Sequence, residues 1–208
     1  KPLKISKSDV QPFTIAEVNR LLASVRDDYK DYFLIRFFTG MRTGEVDGLK
    51  WRYVDFNKRI IKVRETIVAG EEDITKTESS IRDIQMSQPV YEALLRQKAH
   101  TARFGKFVFC NREGQALNHN NVTKRVWYPH LARLRLEKRR PYQTRHTAAT
   151  LWLAAGESPE WIAQQMGHSN TEMLFRVYSR YVPNLTRMDG SAMDKLLSNN
   201  LEIQYAAH

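Results

Sequence analysis

An α+β fold, mainly α, is predicted here: a helical body carrying a small three-stranded antiparallel sheet. Three observations predict it. Apolar residues recur at helical spacing along most of the chain, as in Ile15, Val18, Leu21, Leu22 and Val25. Helix-start residues precede those runs: Thr14 with Glu17 three positions on, Ser87 with Pro89, and Ser158 with Pro159. Between Trp51 and Met86 the period changes to strand alternation, with Ile61, Val63 and Ile67 on one side.

The bulk properties fit a folded domain with an anionic partner. Of 208 residues, 42% are hydrophobic, enough for a substantial core and too many for a disordered chain. The formal net charge of +10 favours a polyanion, although a basic, inert domain would show the same excess. No run of about 18 apolar residues is present, so no membrane span is expected. Cys110 is the single cysteine, which excludes an internal disulfide and fits a reducing, cytoplasmic setting. Neither a cysteine cluster nor a His-Glu-x-x-His pattern points to a metal. The opening Lys1-Pro2-Leu3-Lys4 has no initiating Met and no signal-peptide core, so a fragment of a longer chain is expected.

Taken in order, residues 1–12 read as a lysine-bearing linker, 13–188 as the main domain, and 189–208 as a C-terminal helix and tail. A capping box at Thr14 and Glu17 opens the first helix, with Ile15, Val18, Leu21, Leu22 and Val25 turned inward. The next helix spans about Lys30 to Thr39. It is apolar most of the way round through Tyr32, Phe33, Leu34, Ile35, Phe37 and Phe38, and should be buried. Gly40 ends it. Thr43 is placed to cap a short helix with Glu45 in its first turn, and Arg42 sits just before it. Strands come next at Tyr53–Phe56 and Arg59–Ile67, then a turn over Gly70–Asp73. Ile74 to Ile84 forms a hairpin whose polar tip, near Lys76, is exposed. A helix from Ser87 to Gln97 turns Val90, Leu94 and Leu95 inward, and Phe107–Cys110 is a short extended piece. The helix Asn118–Leu136 buries Val122, Val126, Trp127, Leu131 and Leu134 and ends among Arg133, Arg135, Lys138, Arg139 and Arg140. That cluster reads either as a solvated helix end or as phosphate contacts that set register on DNA; the arginines, histidines and tyrosines after Arg140 favour the second. Helices then cover about Thr144–Ala155, Pro159–Met166 and Thr171–Ser179, with another near Ser191–Leu197. The alternating tail Leu201, Ile203, Tyr205 reads either as a frayed end, the favoured reading, or as a strand that pairs with another molecule.

The chemistry concentrates between Arg140 and Tyr181. This stretch contains Arg145-His146-Thr147, then Gly167-His168-Ser169, then Tyr178-Ser179-Arg180-Tyr181. Guanidinium forks match phosphate oxygens, often through two hydrogen bonds at once. Imidazole moves protons near neutral pH. A tyrosine hydroxyl can serve as nucleophile. Together these groups point to covalent chemistry on a phosphodiester without a metal or other cofactor.

These residues resemble the catalytic domain of the tyrosine recombinases, also called phage integrases, over roughly Phe13 to Pro183. Thr39-Gly40-Met41-Arg42-Thr43-Gly44-Glu45 resembles the family's first arginine box, with Arg42 its catalytic arginine and Glu45 its supporting acid. Lys76 falls where the family keeps its catalytic lysine. Arg145-His146-Thr147-Ala148-Ala149-Thr150 is similar to the second box, with Arg145 the second arginine. Met166-Gly167-His168-Ser169 is similar to the third, with His168 its histidine, and Tyr178 with Ser179-Arg180-Tyr181-Val182-Pro183 matches the nucleophile segment. Tyr181 stands three residues beyond Tyr178 and is the rival nucleophile. One position departs from the pattern: Tyr142 stands where the family usually has a histidine, three residues before its second arginine. Phenol is a poor base at neutral pH. His168 is then the stronger candidate for the nucleophile's proton, with His146 a structural residue that caps or packs on its helix.

The resemblance implies a site-specific recombinase that acts on double-stranded DNA at attachment-type sites through a 3′-phosphotyrosyl intermediate. Arg42 and Arg145 would hold the phosphate, and Lys76 would protonate the leaving 5′ oxygen. The family works as a tetramer on DNA when full length; a fragment can be a monomer. The family also places a helical DNA-binding domain ahead of this one, which is not expected within these residues. Two rival expectations stand beside this one: a type IB topoisomerase-like enzyme, and a non-catalytic DNA-binding regulator of the same fold.

Overall fold

The computed structural model describes residues 10–68, 70–74 and 80–178. Helix α1, Ile15–Ser24, opens on the expected box: the Thr14 hydroxyl accepts from the Glu17 amide, and the Glu17 carboxylate accepts from the Thr14 amide at 2.8 Å. Val18 and Leu21 face the core, but Ile15 is 51% exposed, because it lies in the first turn, before the helix meets the body. Helix α2, Asp27–Phe38, is buried as expected through Tyr32, Phe33, Ile35 and Phe37 and ends before Gly40, whose φ is 62°. It also buries Arg36, which donates to the Tyr32 hydroxyl at 2.9 Å, the Thr43 hydroxyl at 2.7 Å and the Pro141 carbonyl at 3.3 Å. Tyr32 in turn donates to Asp47 at 2.7 Å. This buried network ties α2 to α3, Thr43–Asp47, and to the chain at Pro141.

The strand region divides more finely than the sequence predicts. β1, Val54–Asp55, β2, Ile60–Val63, and β5, Arg82–Gln85, form the three-stranded antiparallel sheet in the order β1-β2-β5. The run expected as one strand to Ile67 breaks at Arg64. β3, Glu65–Val68, then pairs with β4, Glu71–Ile74, as a separate two-stranded hairpin. The turn expected over Gly70–Asp73 is therefore narrower, and Glu71 to Asp73 belong to a strand. Of these, Glu72 is balanced by Lys50, 2.6 Å away, which also meets Glu65 on the facing strand.

Helix α4, Gln88–Thr101, buries Val90 and Leu94 but leaves Leu95 at 43% exposure. Leu95 is one residue, about 100°, round from Leu94 and so points away from the core. Phe107–Cys110 is extended, bridged at Phe107 to Lys50 and at Cys110 to Ala116. The helix expected over 118–136 runs as α5, His119–Val122, a π-helical stretch over Thr123–Trp127, and α6, Tyr128–Arg133, with Asn118 capping its start. Trp127, fully buried, meets Phe13, Phe33 and Phe37 and donates its indole N–H to the Arg139 carbonyl at 2.7 Å. The last helices are α7, Gln143–Ala155, α8, Pro159–Met166, and α9, Glu172–Tyr178.

Two apolar clusters result. The larger spans Phe13 to Leu131; the smaller joins α7, α8 and α9 through Ala149, Leu153, Ile162, Ala163, Met166 and Leu174. Val10 belongs to the smaller cluster, and the Gln11 amide donates to the Gln143 side chain at 2.8 Å. The expected linker of residues 1–12 thus gives way at Val10 to chain held by the domain. Lys76, Tyr181, the helix near 191–197 and the tail lie outside the described residues. No helix among the described residues is long and apolar enough to cross a membrane. Replacing Trp127 by Ala should cost about 3–5 kcal/mol, the usual loss for a large buried aromatic. The urea midpoint would fall accordingly, with the slope unchanged.

Candidate active site

Both catalytic-box arginines reach one turn of backbone. α8 ends on Gly167, whose φ of 67° is the left-handed C-cap that glycine tolerates best. This sharp stop presents the Met166 and Gly167 carbonyls to the side chains opposite. Arg145 donates to the Met166 carbonyl at 2.6 Å, to the Gly40 carbonyl, and to His168 Nε2 at 3.2 Å. Arg42 donates to the Gly167 carbonyl at 3.1 Å. The three sequence boxes therefore meet at residues 166–168.

Arg42 is the N-cap residue of α3, displacing Thr43 from the expected capping role. Thr43 is instead the first helical residue, and its hydroxyl is taken by Arg36. Glu45 accepts from the Arg42 amide at 2.7 Å and from its guanidinium at 2.8 Å. The same carboxylate takes both arms of Arg82, at 3.0 and 2.8 Å. Arg82 also donates to the Gln165 carbonyl at 2.6 Å and the Ser80 carbonyl at 3.1 Å. It thus joins β5, α3 and α8 around the site. Burial alone would raise the Glu45 pKa, but the Arg82 guanidinium, aided by Arg42, holds it at about 2.

Motif reasoning on the sequence misses Arg82. Its signal is nonetheless present: in the strand Arg82–Gln85 it shares the inward face with Ile84, and an inward charge requires a partner.

Helix α7 places Arg145 and His146 side by side. Its start is fixed by the Thr144 hydroxyl bonding the Pro141 carbonyl at 2.8 Å. Thr147 bonds back to Gln143 at 2.8 Å and also receives the Phe13 amide. Buried hydroxyls are thereby satisfied along the helix. Arg145 is only 2% exposed. Among the described residues no carboxylate ion-pairs with it. Burial, reinforced by the charges of Arg42 and Arg82, lowers its pKa to about 10, so it is still a cation at neutral pH.

Tyr178 is 2% exposed, and its hydroxyl lies 2.7 Å from His146 Nδ1. The expected partner, His168, is occupied by Arg145, and its Nδ1 is buried without a hydrogen-bond partner among the described residues. Burial and the Arg145 charge hold both imidazoles near pKa 4, and burial raises that of Tyr178. Tyr142, half exposed, sets its ring edge-on against His146 at 5.2 Å. Positions 142 and 146 lie four apart on one helix face, which is where the sequence could have linked them. Beyond His168, a cleft of about 410 Å³ runs along Arg82, Ile81, Gln164 and Ser169.

The basic cluster sorts into two kinds. Arg139 makes a pair of hydrogen bonds to Glu17, both at 2.9 Å, and stacks on Phe13. Arg133 bonds the Ser24 carbonyl and His130. Arg135, Lys138 and Arg140 are exposed, Lys138 lying over the Tyr128 ring. Among the described residues no three His, Cys, Asp or Glu side chains gather as metal ligands.

Among the described residues, a buried guanidinium with no ion-paired carboxylate, a second guanidinium on the same turn and a tyrosine bonded to the neighbouring histidine therefore lie close together. Residues 12–184 match the phage integrase family, and the chain belongs to it. It is 28% identical over 209 residues to the prophage integrase IntR of Escherichia coli (strain K12), covering 89% of this chain and 51% of that one. It is 26% identical over 204 residues to a XerC-like tyrosine recombinase of Caldanaerobacter subterraneus, covering 85% and 52%. The chain thus spans about half the length of these curated relatives. In fold it is similar to the Tn1549 transposon integrase in complex with transposon right end DNA, at a TM-score of 0.75 and 23% identity over 95% of this chain and 68% of that one. The catalytic domain of bacteriophage HP1 integrase gives a TM-score of 0.59 and 20% identity over 92% of this chain and 98% of that one.

The Glu45 carboxylate yields a stability prediction. Its folded pKa, about 2, lies below the ordinary 4.5. Its contribution is therefore complete above pH 4.5, lost as pH falls through about 2, and worth about 3 kcal/mol. Glu45→Gln should cost about 3–5 kcal/mol at pH 7 by leaving Arg82 buried without its carboxylate. It should also flatten the decline between pH 4.5 and 2. Urea midpoints across that range measure both.

Proposed function

We propose that this chain is the catalytic portion of a site-specific DNA recombinase or integrase, which cleaves and rejoins DNA strands through a 3′-phosphotyrosyl intermediate. The observation that carries this reading is the buried Arg145 guanidinium, held among the described residues by neutral acceptors and lying with Arg42 on residues 166–168, next to the residue that bonds Tyr178. Arg42 and Arg82 share one carboxylate, Glu45, and among the described residues Arg145 ion-pairs with none, so the three guanidiniums hold two positive charges in excess. A phosphodiester supplies the missing negative charge, and its five-coordinate transition state carries more of it. Arg42 and Arg145 act as the phosphate clamp, which aligns the phosphorus and stabilises that charge. Tyr178 is the nucleophile. His168, whose Nε2 accepts from Arg145, carries its proton on Nδ1 and serves as a hydrogen-bond donor to the phosphate. Glu45 orients Arg42.

Lys76, by family resemblance, protonates the leaving 5′ oxygen. Tyr142 packs on His146 and offers its hydroxyl to the backbone of the DNA. Arg145 and Tyr178 are both closed off in the free chain, so part of the DNA-binding energy goes into opening the pocket. One phosphodiester is exchanged for another, so the reaction is nearly neutral in energy and calls for neither nucleotide hydrolysis nor a metal.

The partner in this reading is double-stranded DNA carrying attachment-type sites. Phosphate contacts come from Arg135, Lys138 and Arg140, while Arg133 and Arg139 are committed to the fold. The full-length protein assembles as a tetramer on paired sites, in the bacterial cytoplasm and associated with the nucleoid. The likeness to a transposon integrase in complex with transposon end DNA supports the same partner.

Incubated with a pool of nicked duplexes of randomised sequence, the chain should form a detergent-resistant covalent complex from which a preferred site can be read. Tyr178→Phe should form none. Arg145→Ala should lose about 10²–10³-fold in cleavage, the usual effect of removing one donor to a transition-state oxyanion. Persistence of the adduct in Tyr178→Phe would reject the nucleophile assignment, and absence of any adduct from the unaltered chain would reject the recombinase reading. Binding of the enriched duplex, read by fluorescence anisotropy, should weaken steeply with salt. Neutralising Arg135, Lys138 and Arg140 together should lessen the salt slope by about three phosphate contacts.

A further inference from the structure

We propose that His146 takes the proton of Tyr178 during strand cleavage. The inference rests on the transesterification reading above and adds to it a catalytic residue that the sequence alone presents as structural. It starts from position. His146 Nδ1 lies 2.7 Å from the Tyr178 hydroxyl oxygen, the reacting atom itself. A general base must lie within about 2.6–3.2 Å of the group it deprotonates, and this pair meets that requirement before DNA arrives.

The second consideration is which imidazole has a lone pair to give. A guanidinium only donates, so the 3.2 Å contact from Arg145 fixes His168 Nε2 as an acceptor. The lone pair of His168 is thereby spent on Arg145, and its remaining ring nitrogen carries hydrogen. His146 has no such claim on Nδ1 other than the Tyr178 hydroxyl. The charged and titratable groups around it are Arg145, the adjacent residue on α7; Tyr142, edge-on to its ring; Tyr178 on α9; and His168, beyond Arg145. Burial and Arg145 keep the imidazole neutral, the form that can accept a proton.

The third consideration is need. Burial raises the Tyr178 pKa, so the phenol does not ionise unaided. An incoming phosphate would offset the Arg145 charge that disfavours imidazolium and so strengthen His146 as a base at the moment of attack. Tyr142 supports the arrangement by holding the ring from its exposed side.

The step balances. The Tyr178 O–H bond breaks, its proton passes to His146 Nδ1, and the oxygen forms a bond to phosphorus. The bond from phosphorus to the 5′ oxygen breaks, and that oxygen takes a proton from a general acid, Lys76 in the reading above. On rejoining, a 5′ hydroxyl attacks phosphorus and returns its proton to the general acid, Lys76 in the reading above, while the phosphorus–Tyr178 bond breaks and the departing oxygen recovers its proton from His146.

Two measurements test this. Nitrogen-15 NMR of the free chain should show His146 protonated on Nε2 and bare on Nδ1, with the Nδ1 resonance moving in Tyr178→Phe. A His146 protonated on Nδ1 would overturn the proposal without any DNA. Using the duplex enriched by covalent capture, His146→Ala and His146→Gln should keep duplex affinity but lose on the order of 10²–10⁴-fold in cleavage rate. Added imidazole should restore part of the rate to His146→Ala, which a merely structural residue would not allow. A loss smaller than about tenfold in either variant, below the range expected for a general base, would overturn the role. If the unaltered chain captures no DNA, the transesterification reading fails, and this proposal with it. If it captures DNA and His146→Gln cleaves at the normal rate, only the present inference fails.

Discussion

Burying the Arg145 guanidinium constrains the whole centre of this domain. A cation at 2% exposure must find several acceptors at once, because an unsatisfied charge in the interior costs several kcal/mol. Its acceptors come from three places in the chain: Gly40 ahead of α3, Met166 at the end of α8, and His168 just beyond. Each must therefore stop its element at the right point. Gly40 and Gly167 adopt positive φ to do so, and α8 ends by turning its last carbonyls toward α7. Arg42, anchored as the N-cap of α3, is brought to the next carbonyl of the same turn. The convergence of the boxes is thus a consequence of satisfying one buried charge.

The same geometry gives the two histidines different partners. They have similar burial and similar depressed pKa values, so titration alone would not separate them. Their neighbours do. A guanidinium consumes the acceptor nitrogen of His168, whereas a hydroxyl faces Nδ1 of His146. Proton inventories of this kind are set by what each ring nitrogen touches, and sequence spacing does not report them. The motif gives His168 its place in the order of the boxes; the direction of its lone pair is legible only from what each ring nitrogen meets.

Much of the fold is nevertheless legible in the chain. The capping box at Thr14, the serine cap and proline start of α8, and the stop at Gly40 are local devices, and the structure keeps each of them. Differences arise where a local pattern is overruled by distant partners. Ile15 and Leu95 fit an apolar stripe but lie at its margin, where the opposing element ends. The strand through Ile67 breaks at Arg64, whose guanidinium bonds the Arg82 carbonyl and the Asp83 carboxylate across the sheet. The helix over 118–136 contains a π-helical stretch, which leaves no mark in apolar periodicity. Arg42 escapes notice as a cap because the bond is made by the Glu45 side chain and the Arg42 amide, leaving Thr43 free for Arg36.

Charge pairing also explains which basic residues serve the scaffold. Arg82 and Arg139 carry the same guanidinium as Arg145, yet each faces a carboxylate through two hydrogen bonds. Such pairs are closed: an incoming phosphate would have to displace a carboxylate already in place, and the exchange gains little. Among the described residues Arg145 meets carbonyls and an imidazole, which satisfy its hydrogen bonds without cancelling its charge. Arg42 lies between these cases, sharing Glu45 with Arg82 and remaining about a third exposed. An anion therefore meets a graded set of cations, and the least compensated one is the deepest. Since electrostatic attraction strengthens as water is excluded, the strongest pull on an anion comes from the buried Arg145, whose neighbour on α7, His146, meets Tyr178.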